Sequence, residues 1–149
     1  MDTAQQGLPV VIHLASIASY DDMSNEPIQL MTTGRFFPGE DFSILRYQES
    51  QQDEDTGETI QADIQLVLKK HQVTMNRTGD FSTTMLFQRN KRFETRYQTP
   101  FGDMDMAVYT REVRWDEAPD GGKVHLRYEL NMQGHYASTN EMNLEYWKQ

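Results

Sequence analysis

Thr59-Ile60-Gln61-Ala62-Asp63-Ile64-Gln65-Leu66-Val67-Leu68-Lys69 is the stretch that decides the fold class. Ile60, Ala62, Ile64, Leu66 and Leu68 fall on one side of an extended chain, and Thr59, Gln61, Asp63, Gln65 and Lys69 on the other. A period of two with one dry and one wet face is the mark of a half-buried strand in an antiparallel sheet.

The same period extends in both directions. Toward the N-terminus it covers Val10 to Ala18, Ile28 to Phe37 and Phe42 to about Glu49, with breaks at Asp21–Asn25 and Pro38-Gly39. Toward the C-terminus it covers Gln72–Thr78, Phe81–Gln88, Arg92–Gln98, the alternation Met104, Met106, Val108, then Val124–Met132 and His135–Trp147. Gly79-Asp80, Arg89-Asn90, Thr99–Gly102, Asp116–Gly122 and Gln133-Gly134 separate these runs with turn residues. No helical period, repeat or interdomain linker interrupts them. The expectation is one all-β domain over residues 1–149, a closed antiparallel β-barrel of about 8–10 strands. A two-sheet sandwich has the same alternation, but closure also removes the unprotected edges of so long a sheet. The N-terminus (about 1–8) is expected to be mobile, and Gln51–Glu58 to form an acidic surface loop.

Composition narrows the function classes. A chain of 149 residues is the size of one domain, and such a domain buries roughly 70% of its unfolded surface. The absence of cysteine excludes disulfides, thiolate metal sites and thiol nucleophiles. Fourteen basic against twenty-three acidic residues give a formal charge of −9, which opposes nucleic-acid and anionic membrane partners. Arg89, Lys91, Arg92 and Arg96 are the nearest approach to a positive patch and read as the solvated side of a strand and its turn. Met1–Pro9 lacks signal-peptide features, and no apolar run reaches membrane-spanning length. A cytoplasmic location is expected, so the glycosylation pattern at Asn76-Arg77-Thr78 is read as chance.

Motifs for chemistry are sparse. Asp53, Glu54, Asp55 and Glu58 lack the spacing of a calcium loop, and His13, His71, His125 and His135 show no ligand pairing. A two-residue turn at Gln133-Gly134 sets His125 opposite Met142. Asp103 and Asp105 share a strand face without the cleft that acid–base work requires. Phosphate loops, a nucleophile elbow and the zinc-protease signature are missing. No catalytic residue, metal or cofactor is therefore expected.

The informative residue is Arg77, which continues the inward side of Val73 and Met75. A buried guanidinium needs an acid, a hydroxyl or a ligand anion. With two-residue turns Arg77 faces Ser82, Ser82 faces Tyr97, and Thr84, Leu86, Phe93 and Thr95 point inward. With three-residue turns Arg77 faces Phe81 or Thr83, and Met85 and Phe87 point inward. Both solutions keep Arg77 and Tyr97 on one side, and the sequence admits either. Glu49 has the charge to neutralise Arg77. Tyr47 and Tyr128 complete the set of ligand-binding candidates, beside their role in packing.

Several segments together resemble the YwiB-like family of bacterial β-barrel proteins. These are Ile28–Gly34, Tyr47-Gln48-Glu49-Ser50, Met75-Asn76-Arg77-Thr78-Gly79, Tyr97-Gln98-Thr99-Pro100-Phe101-Gly102 with Met104, and Tyr128-Glu129-Leu130. The resemblance runs from about Val10 to Leu144 and implies a calycin, or lipocalin-like, barrel, a kind that holds small apolar molecules. It supplies no catalytic residue. The resulting expectation is a non-catalytic barrel binding a small, partly apolar, anionic molecule. The alternative is a structural or interaction barrel acting as a homodimer. In the two-residue register that dimer would use an outward patch of Phe81, Met85 and Phe87.

Overall fold

A computed structural model describes residues 7–20, 23–24, 27–52 and 55–149. Its strands are β1 (Leu8–Tyr20), β2 (Met23–Ser24), β3 (Ile28–Phe37), β4 (Ser43–Gln52), β5 (Thr59–Lys69) and β6 (Gln72–Gly79). They continue with β7 (Thr83–Gln88), β8 (Arg92–Thr99), β9 (Gly102–Ala118), β10 (Gly121–Met132) and β11 (His135–Lys148). The hydrogen-bonded order is β7-β6-β5-β4-β3-β1-β11-β10-β9-β8, with the two-residue β2 attached to β1. This is a nearly closed, antiparallel, ten-stranded barrel in which neighbours in sequence are neighbours in space. The continuous ladder excludes the two-sheet sandwich.

Two junctions complete the ring. β1 and β11 pair over ten consecutive positions, from Val10↔Lys148 to Ser19↔Thr139. β7 and β8, by contrast, meet through one bridge, Ser82↔Gln98. At its other end this seam is held by the turn Lys91 N–H to Gln88 C=O (3.1 Å) and by Asn90 N–H to Thr110 C=O (2.8 Å). β3 and β4 pair only from Gly34↔Tyr47 to Phe37↔Ile44 and diverge beyond Gly34. A Cβ at position 34 would fall against the Arg46 carbonyl oxygen and 2.8 Å from Ile12 Cδ1, so glycine permits the close approach here.

The interior is stratified. At the floor, Ser43, Leu68, Val73 and Phe87 lie in one cross-strand row, and Leu45, Leu66, Met75 and Met85 in the next. Trp115 Nε1 donates to Tyr146 Oη at 3.0 Å, and Tyr146 packs on Phe36 with centroids 4.9 Å apart, closing this end. Toward the opposite end, the mouth, the rows become polar or small: Tyr47, Ile64, Arg77 and Thr83, then Glu49, Ala62 and Gly79.

Several expectations require correction. Leu8 already pairs with Phe36, so the strand begins inside the segment expected to be mobile; residues 1–6 lie outside the described set. Gln51 and Gln52 belong to β4 and pair with Ile60 and Thr59, which shortens the acidic loop from its N-terminal side; Asp53 and Glu54 lie outside the described residues. The bend expected over Asp116–Gly122 is tight, because β9 runs to Ala118 and pairs with Gly121. His125 faces Asn143 and not Met142, because a bulge after Leu130 shifts the β10–β11 register by one residue.

The open register at Gly79 is resolved as the three-residue turn, with Arg77 opposite Thr83. Gly79 has φ +144°, a backbone region that favours glycine. Phe87 is therefore fully buried, and the patch that motivated the homodimer is absent, since Phe87 and Met85 pack in the core. Ser82 meets Gln98, not Tyr97. Phe87→Ala is expected to cost about 3–5 kcal/mol in urea denaturation, while Thr84→Ala on the outer face stays within about 0.5 kcal/mol. Equal effects would contradict this register.

Candidate functional site

Three strands bring the charged pair together. Arg77 on β6 and Glu49 on β4 are separated by β5, and they occupy adjacent inner rows. The strand between them presents Ala62 beside Glu49, a side chain too short to block the diagonal. Arg77 Nη1 consequently donates to Glu49 Oε2 at 2.8 Å. About a fifth of each side chain remains exposed, 21% and 20%, so the pair sits below the mouth and not in the sealed floor.

Four of the five sequence-derived site residues belong to this layer. Tyr47 is buried in the same row as Arg77. Burial first, then the charge of Glu49, hold its phenol far above the ordinary tyrosine value; Arg77 pulls the other way and is outweighed. Tyr128, from β10 on the far wall, has its phenol pushed up to about 12, chiefly by burial and then by Glu49. Its ring lies on Phe87 with centroids 4.8 Å apart. The fifth residue, Tyr97, stands apart from this network: its ring lies 6.0 Å from Phe81 across the seam.

Polar groups in this layer are incompletely matched. Tyr47 Oη, Arg77 Nε and Thr110 Oγ1 are buried without a hydrogen-bond partner among the described residues. Thr110 pairs with Tyr128 across β9 and β10, so its hydroxyl belongs to the same level of the barrel. Buried donors of this kind cost about 1–3 kcal/mol each when unsatisfied. Because its titration is displaced upward, Tyr47 keeps its proton through the neutral range and remains a donor. The layer thus offers two donors, Tyr47 Oη–H and Arg77 Nε–H, in mainly apolar surroundings.

A broad concavity borders this layer. It spans about 1190 Å³ from β3 to β8, and its lining joins Arg35, Arg46, Gln65, Asn76 and Arg96 to Tyr47, Ile64, Arg77 and Thr83 of the layer just described. Sequence reasoning named Tyr47 and Arg77 on this border but passed over Arg35 and Arg46, which become neighbours only once β3 and β4 are in register.

His125 has partners on both ring nitrogens: Nδ1 lies 2.7 Å from Asn143 Oδ1 and Nε2 lies 2.9 Å from Glu112 Oε2. Burial lowers its pKa, but the hydrogen bonds to Asn143 and Glu112 and the charges of Glu112 and Glu141 together raise it above the ordinary value. With both acceptors facing it, the doubly protonated ring is the form that satisfies both contacts.

A family model described as "Domain of unknown function (DUF1934)" matches residues 12–144. The crystal structure of ywiB protein from Bacillus subtilis superposes with a TM-score of 0.82 at 20% identity, covering 97% of this chain and 94% of that one. That likeness establishes the barrel fold. No curated protein matches the chain.

Glu49→Gln is expected to destabilise the barrel by about 1–3 kcal/mol in chemical denaturation, because it strands Arg77 in a partly buried site. Replacing both members by leucine should recover part of that loss. For His125, a folded pKa above the unfolded one gives stability that is complete below the unfolded value of about 6.5 and lost as pH rises through the folded value. Thermal melts of wild type and His125→Gln should therefore differ most in mildly acidic buffer and converge in alkaline buffer. A constant offset would remove the assignment.

Proposed function

The chain belongs to the DUF1934 family, and from this premise we propose that it is a non-catalytic, cytoplasmic barrel that binds a small, partly apolar molecule at the Arg77–Tyr47 layer. The observation that carries this reading is the pair of unmatched donors, Arg77 Nε–H and Tyr47 Oη–H, buried below the mouth. A ligand oxygen accepting from either would relieve a desolvation cost that the protein otherwise bears. Apolar walls with a few placed polar groups are the usual makeup of small-molecule sites. Ile64, Met75 and Met85 supply such walls beside the donors.

The ion pair sharpens the chemistry of this ligand. With Glu49 already on Arg77, the reading we favour is an acceptor without a full charge, such as a carbonyl or ether oxygen. A carboxylate would have to displace Glu49 or stand beside it, at the cost of like-charge repulsion. The calycin or lipocalin-like character that we infer for this barrel supports small-molecule binding through likeness of fold, which is an analogy about architecture and not about a site.

Native mass spectrometry of freshly purified protein, with and without denaturing release, tests the reading. The wild type should carry a non-covalent adduct. Tyr47→Phe, which removes a donor while keeping the ring, should retain it about tenfold less well. A wild-type spectrum holding only the bare chain, or retention unchanged in Tyr47→Phe, would overturn it.

A further inference from the structure

Arg35 on β3 and Arg46 on β4 are direct cross-strand partners on the outer surface. Like charges placed opposite one another destabilise a sheet, and a chain with a net charge of −9 has acids to spare for separating them. Among the described residues it does not place one across this pair. Beyond Arg35 in the same row stands Pro9, and beyond Arg46 stands Gln65. Asp63, a diagonal neighbour of Arg46, accepts from Gln48 Nε2 at 2.9 Å instead. Among the described residues neither arginine has a carboxylate partner.

Arg46 is also held in place. Its Nε donates to Gln65 Oε1 at 2.8 Å, and its guanidinium lies 5.0 Å above the centre of the Phe37 ring. Among the described residues those contacts leave its terminal nitrogens open to a two-pronged bond to an oxyanion. Both arginines line the concavity of about 1190 Å³, with Arg96 on the β8 side and Tyr47 and Arg77 also at its border. Between them the same surface carries amide and hydroxyl groups, including Asn76, Thr78 and Thr84, and few apolar side chains. Arg96 makes only loose contacts with Asp103 and Asp105, at 3.9 and 3.8 Å.

We propose that this outer saddle is a second binding site, one that takes a phosphate ester of a hydroxyl-rich small molecule, with the phosphoryl group between Arg35 and Arg46. The arginine pair supplies charge and bidentate geometry, and the amide and hydroxyl row supplies partners for the remainder of the ligand. Tyr47 and Arg77 also border this concavity, but Arg35 and Arg46 stand on the exposed side of their strands, so substituting them leaves the Arg77 layer in place and keeps the two readings distinguishable. The unfavourable pairing of the two cations is retained because an anion relieves it.

Inorganic pyrophosphate is the probe, titrated calorimetrically into the full chain at low ionic strength. Wild type should bind it at one saturable site, with affinity falling as salt rises. Arg35→Gln and Arg46→Gln should each weaken binding at least tenfold, and Asp63→Asn should tighten it. A second readout separates a ligand site from a structural role. In phosphate-free buffer Arg35→Gln should melt about 1–3 °C above wild type, since it removes the repulsion, and saturating pyrophosphate should abolish that advantage. Absence of saturable binding, variants that bind as tightly as wild type, or an Arg35→Gln protein that melts below wild type without ligand would each overturn the proposal.

Discussion

The ladder between β1 and β11 is the constraint on which everything else rests. An alternating strand can keep its dry side dry only if another wall faces it, and an open sheet of this length would leave two long unpaired edges. Pairing the first long strand with the last one curls the sheet until its apolar sides face each other. Leu14 then stands between Leu30 and Leu144 on one wall, while Leu66 and Met75 line another. The floor row of Ser43, Leu68, Val73 and Phe87 is dry because the ring exists. The same closure obliges Arg77 to find its partner inside, since strand alternation leaves it no outward choice.

How much of this was legible in the sequence depends on whether the signal was local. The alternation of Ile60, Ala62, Ile64, Leu66 and Leu68 needed no partner to be read, and all but the half-buried Ile60 are buried. The inward sides of β10 and β11 followed in the same way through Val124, Leu126, Met142, Leu144 and Tyr146. Register was not local. Gly79 suits more than one turn, and the choice that puts Phe87 inside shows only in the assembled β6–β7 pairing. The bulges were equally hidden: one extra residue, Ala137 in β11 or Arg111 in β9, leaves alternation on either side intact.

The candidate site divides along the same line. Arg77 announced itself by standing at an inward position, and Glu49 by having the opposite charge. Their contact could not be foreseen, because it depends on β5 lying between them and on Ala62 being small. Tyr97 does share the inward side expected of it, in step with the rows of Met106 and Val108, and its ring lies beside Phe81 at the weakly joined seam. The outer arginines left no trace at all in the pattern, where Arg35 and Arg46 are ordinary solvent-side residues. What distinguishes them is what the register denies them: an acid across the strand.

The seam between β7 and β8 bears on how such a ring is assembled. Every strand in the meander pairs with a sequence neighbour except at two places, this seam and the β1–β11 junction. Hairpins on either side of Asn90 can therefore form from local chain segments, at small cost in loop entropy. The β1–β11 junction joins Val10 to Lys148 and must wait for nearly the whole chain. Two half-sheets linked by the turn at Arg89-Asn90 then behave as the leaves of a hinge during folding. Because one backbone bridge, the Thr83 hydroxyl on the Arg96 carbonyl, the Phe81–Tyr97 ring contact and the turn contacts hold the leaves together at this seam, final docking requires little strand-to-strand matching there. The slow, highly specific step falls instead on the terminal strands, whose ladder admits one register and fixes which residues the finished barrel encloses.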